Sequence, residues 1–154
     1  MKETERKFLV DQNKWKPKTE AKFIKQGYLT DDPKRSVRIR IYGEKAFLTI
    51  KGETKGITRD EFEYEIPVND AKALMKMRVT EPIEKKRYKE NVNGWEWEID
   101  VFEGKNKGLV MAEIELDDES RKFDLPYWVR DEVTGDKRYF NLWLSKNPFV
   151  SWES

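Results

Sequence analysis

The 154-residue sequence contains no cysteine and no histidine. Without cysteine there is no disulfide, no thiolate nucleophile, no iron–sulfur cluster and no Cys-based zinc site. Without histidine there is no Ser-His-Asp triad, no imidazole general base and no His-ligated zinc or copper. Any bound metal has to be held by oxygen ligands, and carboxylates of that kind select Mg²⁺, Mn²⁺ or Ca²⁺. Long apolar runs are also missing, and the opening Met1-Lys2-Glu3-Thr4-Glu5-Arg6-Lys7 has no apolar signal region, which predicts a cytoplasmic protein with no membrane partner. No charge of one sign is in excess: 31 Lys and Arg against 30 Asp and Glu leave +1, unlike the basic surplus of a nucleic-acid binder. Nucleic acid is therefore not expected as the main partner.

What is present is charge of both signs and aromatic bulk. Charged residues make up 40% of the chain, against about 25% in an ordinary globular protein. Aromatics make up 13%, with 6 Trp, enough to build a core and exclude disorder. The length suits one domain spanning residues 1–154, with no linker, repeat or low-complexity tract to divide it.

The dominant period is two. Glu3–Val10, Lys22–Leu29, Ser36–Tyr42, Lys45–Lys51, Arg59–Ile66, Ile83–Lys89, Trp95–Phe102 and Leu109–Leu116 each read as a strand. Turn signals separate them, the strongest being Asn93-Gly94, a tight-hairpin pair. Helical pieces are few: a helix capped by Asn69 or Asp70 and running to Met77, a short turn from Asp117 or Asp118 to Phe123, and a last helix over Arg138–Leu144. This predicts a mainly β fold with a few short helices, and eight strands suffice to close an antiparallel barrel.

One face of these strands carries Glu3, Glu5 and Lys7; Arg38 and Arg40; Lys51; Arg59, Glu61 and Glu63; Lys85 and Arg87; Glu98 and Asp100; Glu113 and Glu115. The opposite face is largely apolar, as in Val37-x-Ile39-x-Ile41 and Val110-x-Ala112-x-Ile114. A solvated outer face is the ordinary meaning of such alternation. Here, however, like charges recur two apart on one face, where they repel. That pattern makes sense when acids share a cation and bases share a polyanion. Tyr28 and Gln26 either join this face or fill a strand edge, and the tryptophans read as core.

Glu3-Thr4-Glu5-Arg6-Lys7 fits the ExExK motif of the CYTH, or triphosphate tunnel metalloenzyme, superfamily. Val37-Arg38-Ile39-Arg40, Thr49-Ile50-Lys51, Lys85-Lys86-Arg87, Glu98-Ile99-Asp100 and Glu113-Ile114-Glu115 follow in the order of the small single-domain bacterial members. The sequence resembles them over essentially its whole length. The resemblance implies an eight-stranded antiparallel β-barrel forming a tunnel with a charged lumen. It also implies divalent-metal-dependent hydrolysis of a linear triphosphate, with Mg²⁺ or Mn²⁺ as cofactor. By the same resemblance, Glu3, Glu5, Glu63, Asp100, Glu113 and Glu115 are the metal-side carboxylates. Lys7, Arg38, Arg40, Lys51, Lys85, Arg87 and Lys137 are the phosphate-binding cations, Lys137 lying on a C-terminal segment that plugs or borders the tunnel. Glu3, Glu5, Lys7, Glu113 and Glu115 carry the catalytic expectation. The substrate expected is a small triphosphate or polyphosphate, foremost inorganic tripolyphosphate. Relatives of this kind also act as adenylate cyclases or as thiamine and nucleoside triphosphatases, and a polyphosphate-binding module without turnover is the non-enzymatic alternative. The paired acids argue against the last, because anion binding alone gains nothing from them.

Overall fold

Alternation turns the eight runs into strands because a pleated strand sends its apolar and its charged positions to opposite faces. The structure is a computed structural model and describes residues 2–152. The strands are β1 (Lys2–Val10), β2 (Lys22–Thr30), β3 (Arg35–Tyr42), β4 (Lys45–Gly52), β5 (Thr58–Ile66), β6 (Ile83–Val92), β7 (Trp95–Phe102) and β8 (Val110–Glu115). They pair antiparallel in the order β5-β4-β3-β2-β6-β7-β8-β1, and β1 returns to β5 through Lys2↔Asp60, Glu3↔Arg59 and Thr4↔Thr58. The eight-stranded barrel is thus closed. The β6–β7 hairpin turns at Asn93 and Gly94, whose φ values of 54° and 83° are those a tight two-residue turn demands.

A ninth strand, β9 (Val129–Glu132), was not expected from the sequence; it pairs with the end of β1 through Phe8↔Glu132 and Val10↔Val129. Four residues with only one partly buried position carry too little alternation to be read. The helix after β5 is α1 (Val68–Met75), which begins at Pro67 without a side-chain cap rather than at Asn69 or Asp70, and stops two residues short of Met77. The short turn expected from Asp117 or Asp118 forms at Asp118, whose side chain accepts the Ser120 N–H at 2.7 Å and whose carbonyl accepts the Arg121 N–H at 3.1 Å. It ends before Phe123, which packs edge-on to Phe8 and Trp97. The last helix is α2 (Asn141–Lys146); the earlier part of its expected span is a single 3₁₀ turn, Lys137–Tyr139, with Phe140 extended between them. No helix among the described residues is long and apolar enough to cross a membrane.

Most of the apolar core lies outside the barrel wall. Phe8, Val10, Trp97, Ile99, Ala112 and Ile114 point outward and are covered by Trp15, Leu116, Phe123 and Trp128 from the connecting segments. A second outer cluster joins Ile39 and Ala46 to Ala71 and Met75 of α1. Gly27 permits that approach, since a Cβ there would lie 2.9 Å from Met75 Sδ and 3.0 Å from Arg78 Cδ. A third cluster lies at one end of the barrel. There Leu9, Ile83, Phe102 and Met111 replace the charges on the inward-facing positions and receive Leu144 of α2. The C-terminal segment therefore plugs that end, and the charged part of the lumen lies above the plug.

Candidate active site

Alternation along each strand brings the charged positions of all eight strands to one cavity of about 640 Å³, within the range of ligand sites. Strand order sorts them by sign. Neighbouring strands β7, β8, β1 and β5 contribute Glu98; Glu113 and Glu115; Glu3 and Glu5; and Glu61 and Glu63. Neighbouring strands β4, β3, β2 and β6 contribute Lys45 and Lys51; Arg38 and Arg40; Lys22; and Lys85, Arg87 and Lys89. The cavity thus has an acidic half and a basic half, with Lys7 and Arg59 the cations on the acidic side.

The acidic half is crowded. Glu5 stands directly across from Glu115, and Glu98 across from Glu113. Like charges so placed are destabilising. Burial and then the Glu5 charge push the Glu113 carboxyl above its ordinary value. Burial, followed by Glu3, Glu61, Glu5 and Glu98, pushes Glu115 up to about 7. Burial also raises Glu98, although Arg87 opposes it. Glu5, despite a desolvation that acts upward, is held below its ordinary value by Lys7. The lysines stand between acids: Lys7 Nζ is 3.7 Å from both Glu5 and Glu113, and Lys51 Nζ is 3.0 Å from Glu3 and 3.2 Å from Glu61. Arg59 adds a contact to Glu3 at 3.4 Å.

The basic half is unevenly matched: Asp100 and Glu98 hold Arg87 well above its ordinary value despite burial, whereas Arg40 and Lys85 are lowered. Burial, then Arg38 and Arg87, lowers Arg40 to about 10. Its Nη2 reaches Glu63 at 3.2 Å, while Arg38 lies 3.9 Å from the same carboxylate. Burial lowers Lys85 to about 8 although Asp100 touches its ammonium at 2.7 Å. Lys85 also donates to Asn141 Oδ1 of α2 at 3.1 Å.

The structure places the residues singled out in the sequence as follows. Glu3, Glu5, Lys7, Arg38, Arg40, Lys51, Glu63, Lys85, Arg87, Glu113 and Glu115 all line the one cavity. Asp100 does not reach it. Its carboxylate takes Arg87 Nε at 2.8 Å and Nη2 at 2.9 Å besides Lys85, so its oxygens are occupied by buried cations that hold it far below the ordinary carboxylate range. Asp100 anchors two cations from behind. Glu63 sits with Arg38, Arg40 and the Thr49 hydroxyl rather than with Glu5 and Glu115. Lys137 borders a second opening of about 460 Å³, beside Phe140 and Trp143, which shares Tyr28, Arg38, Lys51 and Arg59 with the main cavity. Tyr28 faces the lumen.

Several lining residues carried no role in the sequence reading. Glu61 and Glu98 shared the charged face, and Lys22 and Lys89 have the right parity to be found by extending it. Tyr42 and Phe47 also share the parity of Arg38 and Arg40 and of Lys51, but as aromatics they did not stand out among charges, and Asn141, from a distant segment, gave no periodic signal.

Among the described residues no three acidic side chains converge closely enough to form a ready metal cage. Their chemistry nevertheless fits a hard divalent cation. Glu3, Glu5, Glu113 and Glu115 offer only oxygen donors on adjoining strands, and burial followed by the charge of neighbouring acids raises the Glu113 and Glu115 carboxyls. Lys7 stands between Glu5 and Glu113, and Lys51 contacts Glu3.

Known proteins resemble this chain throughout. The CYTH domain family model matches residues 1–141. An inorganic triphosphatase of Acetivibrio thermocellus is 46% identical over 153 residues, which cover 99% of this chain and 98% of the relative. An inorganic triphosphatase of Nitrosomonas europaea is 38% identical, with 94% and 97% covered. Among solved structures, the crystal structure of an inorganic triphosphatase superposes with a TM-score of 0.67 at 34% identity, covering 99% of this chain and 97% of the other.

Proposed function

The chain belongs to the CYTH domain family, and from that premise we propose that it is a divalent-metal-dependent triphosphatase whose substrate is inorganic tripolyphosphate. The observation that carries this reading is the division of one barrel cavity into an acidic half and a basic half. A linear triphosphate carries about four to five negative charges at neutral pH, which the crowded cations of β3, β4 and β6 are built to receive. Arg38, Arg40 and Arg87 offer planar forks to phosphoryl oxygens, and Lys51 and Lys85 offer point charges. Two relatives bearing the name inorganic triphosphatase, matched over nearly their whole length, support the same substrate.

On the opposite side Glu3, Glu5, Glu113 and Glu115 would hold the metal, Mg²⁺ or Mn²⁺. The cation, when bound, neutralises phosphate oxygens and acidifies a water at neutral pH, which this histidine-free chain has no imidazole to do. In the overall reaction, water oxygen bonds to a terminal phosphorus as the bridging P–O bond breaks, giving phosphate and pyrophosphate. Lys7 is held in its charged form by Glu113 and Glu5 despite burial, so it acts as a donor that orients water or phosphate and not as a base. Asp100 keeps Lys85 and Arg87 in place without touching the metal, and Glu63 does the same for Arg40. Lys137 contributes at the second opening. Residues 1–154 act as one CYTH domain in the cytoplasm.

The test is phosphate release from tripolyphosphate and from ATP, with Mg²⁺ or Mn²⁺ and with EDTA. We expect turnover only with metal, faster on tripolyphosphate than on ATP, and no cyclic AMP. Full turnover in EDTA overturns the metal dependence, and cyclic AMP formed at the rate of phosphate release makes the protein a cyclase.

A further inference from the structure

Tyr42 is the last residue of β3, and with the exposed turn residues Gly43 and Glu44 it lines one open end of the main cavity. Three cations from three neighbouring strands stand against its ring. Arg40 of β3 has Cζ 5.5 Å from the ring centroid, Lys22 of β2 has Nζ at 5.5 Å, and Lys89 of β6 has Nζ at 5.9 Å. The register brings them there. Arg40 precedes Tyr42 by two on the same face, Ile24 lies across from Tyr42, and Arg87 lies across from Lys22. Lys22 and Lys89 are therefore diagonal neighbours, a separation that long side chains bridge. All four residues line the cavity, Lys22 and Lys89 with exposed side chains.

Three like charges gathered on one ring repel each other. Carboxylates temper this only in part: Glu63 meets Arg40 at 3.2 Å, and Glu98 and Glu96 lie 3.8 and 3.9 Å from Lys89. An aromatic face attracts each cation through its quadrupole, yet it is neutral and leaves their charge uncancelled. Lysine and arginine side chains are also costly to order when a ligand binds, and a ring that already holds them lowers that cost. We propose that Tyr42 is a positioning residue, whose ring holds Lys22, Arg40 and Lys89 together as a capture site for the triphosphate at the cavity mouth. This role rests on the tripolyphosphate reading. It adds Lys22 and Lys89 to the residues that meet the substrate, and gives the uncharged Tyr42 its place among them.

The variants that test it are read by KM and kcat for tripolyphosphate and by thermal melting without ligand. Tyr42→Phe keeps the aromatic face and should keep the wild-type KM. Tyr42→Leu removes it, and KM should rise roughly tenfold, the scale of two such contacts. Its kcat should change far less, because a contact kept from ground state to transition state moves KM alone. Lys22→Met combined with Lys89→Met removes two of the three charges from exposed side chains of similar length. This pair should raise KM at least as far, and Tyr42→Leu added to it should then cost much less than in wild type. If Tyr42→Leu melts lower with KM unchanged, the tyrosine only packs the strand end and the proposal falls. It falls too if Tyr42→Phe raises KM as much as Tyr42→Leu, since the hydroxyl and not the ring would then matter. A wild-type KM in the paired methionine variant overturns it as well, whether or not the leucine variant folds. Failure of the substrate reading itself looks different, because wild type then neither binds nor turns over tripolyphosphate.

Discussion

Glu115 shows at the scale of one residue what the ligand-free barrel tolerates. Its carboxyl ionises near 4.5 in an unfolded chain but is pushed up to about 7 by part burial and four neighbouring acids. Between those values the folded state binds more protons than the unfolded one, so this group stabilises at low pH. That contribution is lost as pH rises through about 7. Glu115→Gln removes the dependence. In EDTA, its melting temperature relative to wild type should be higher at pH 8 than at pH 5. An equal difference at both pH values would mean that Glu115 lies outside the field of the other acids. Asp100 is the opposite case, a buried carboxylate that Arg87 and Lys85 hold far below its ordinary range.

At the scale of elements, α2 decides which part of the lumen holds ligand. Leu144 is 1% exposed and packs among Ile83, Phe102 and Met111 on inward-facing strand positions. Leu144→Ala should cost about 2–5 kcal/mol, which lowers the melting temperature by roughly 5–15 °C for a domain of this size. A melting curve identical to wild type would show that α2 does not fill the barrel end. The strands were legible because period two needs no tertiary information: Arg38 and Arg40, or Glu113 and Glu115, declare a shared face by spacing alone. Where tertiary packing outweighed local signals, the reading failed. Phe123 is drawn into the aromatic cluster of Phe8 and Trp97, so the turn that starts at Asp118 ends short of it. The four residues of β9 are a strand only because the end of β1 offers them an edge. Likewise Asp100 keeps the parity of a lumen residue, and nothing local to it reveals that two cations across the hairpin have closed over it.

For the molecule as a whole, a net charge of +1 conceals a strong internal separation. Closure through the short β1–β5 pairing brings the four acid-rich strands together and sets them against the four cation-rich ones. Burial first, and then neighbouring cations, lower the basicity of Arg40 and Lys85 in the free protein. A polyanion spanning the basic half relieves them together, and the unfolded chain has no comparable site. The central claim, that these cations converge on one ligand, is tested most directly by thermal melting with tripolyphosphate and with monophosphate at equal ionic strength, with Ca²⁺ in place of Mg²⁺. At a hundred times its dissociation constant tripolyphosphate should add about 2.7 kcal/mol and raise the melting temperature by roughly 5–10 °C, with monophosphate far behind. The same small shift from both anions would contradict the account, because the cations would then be acting separately and not as the wall of one site.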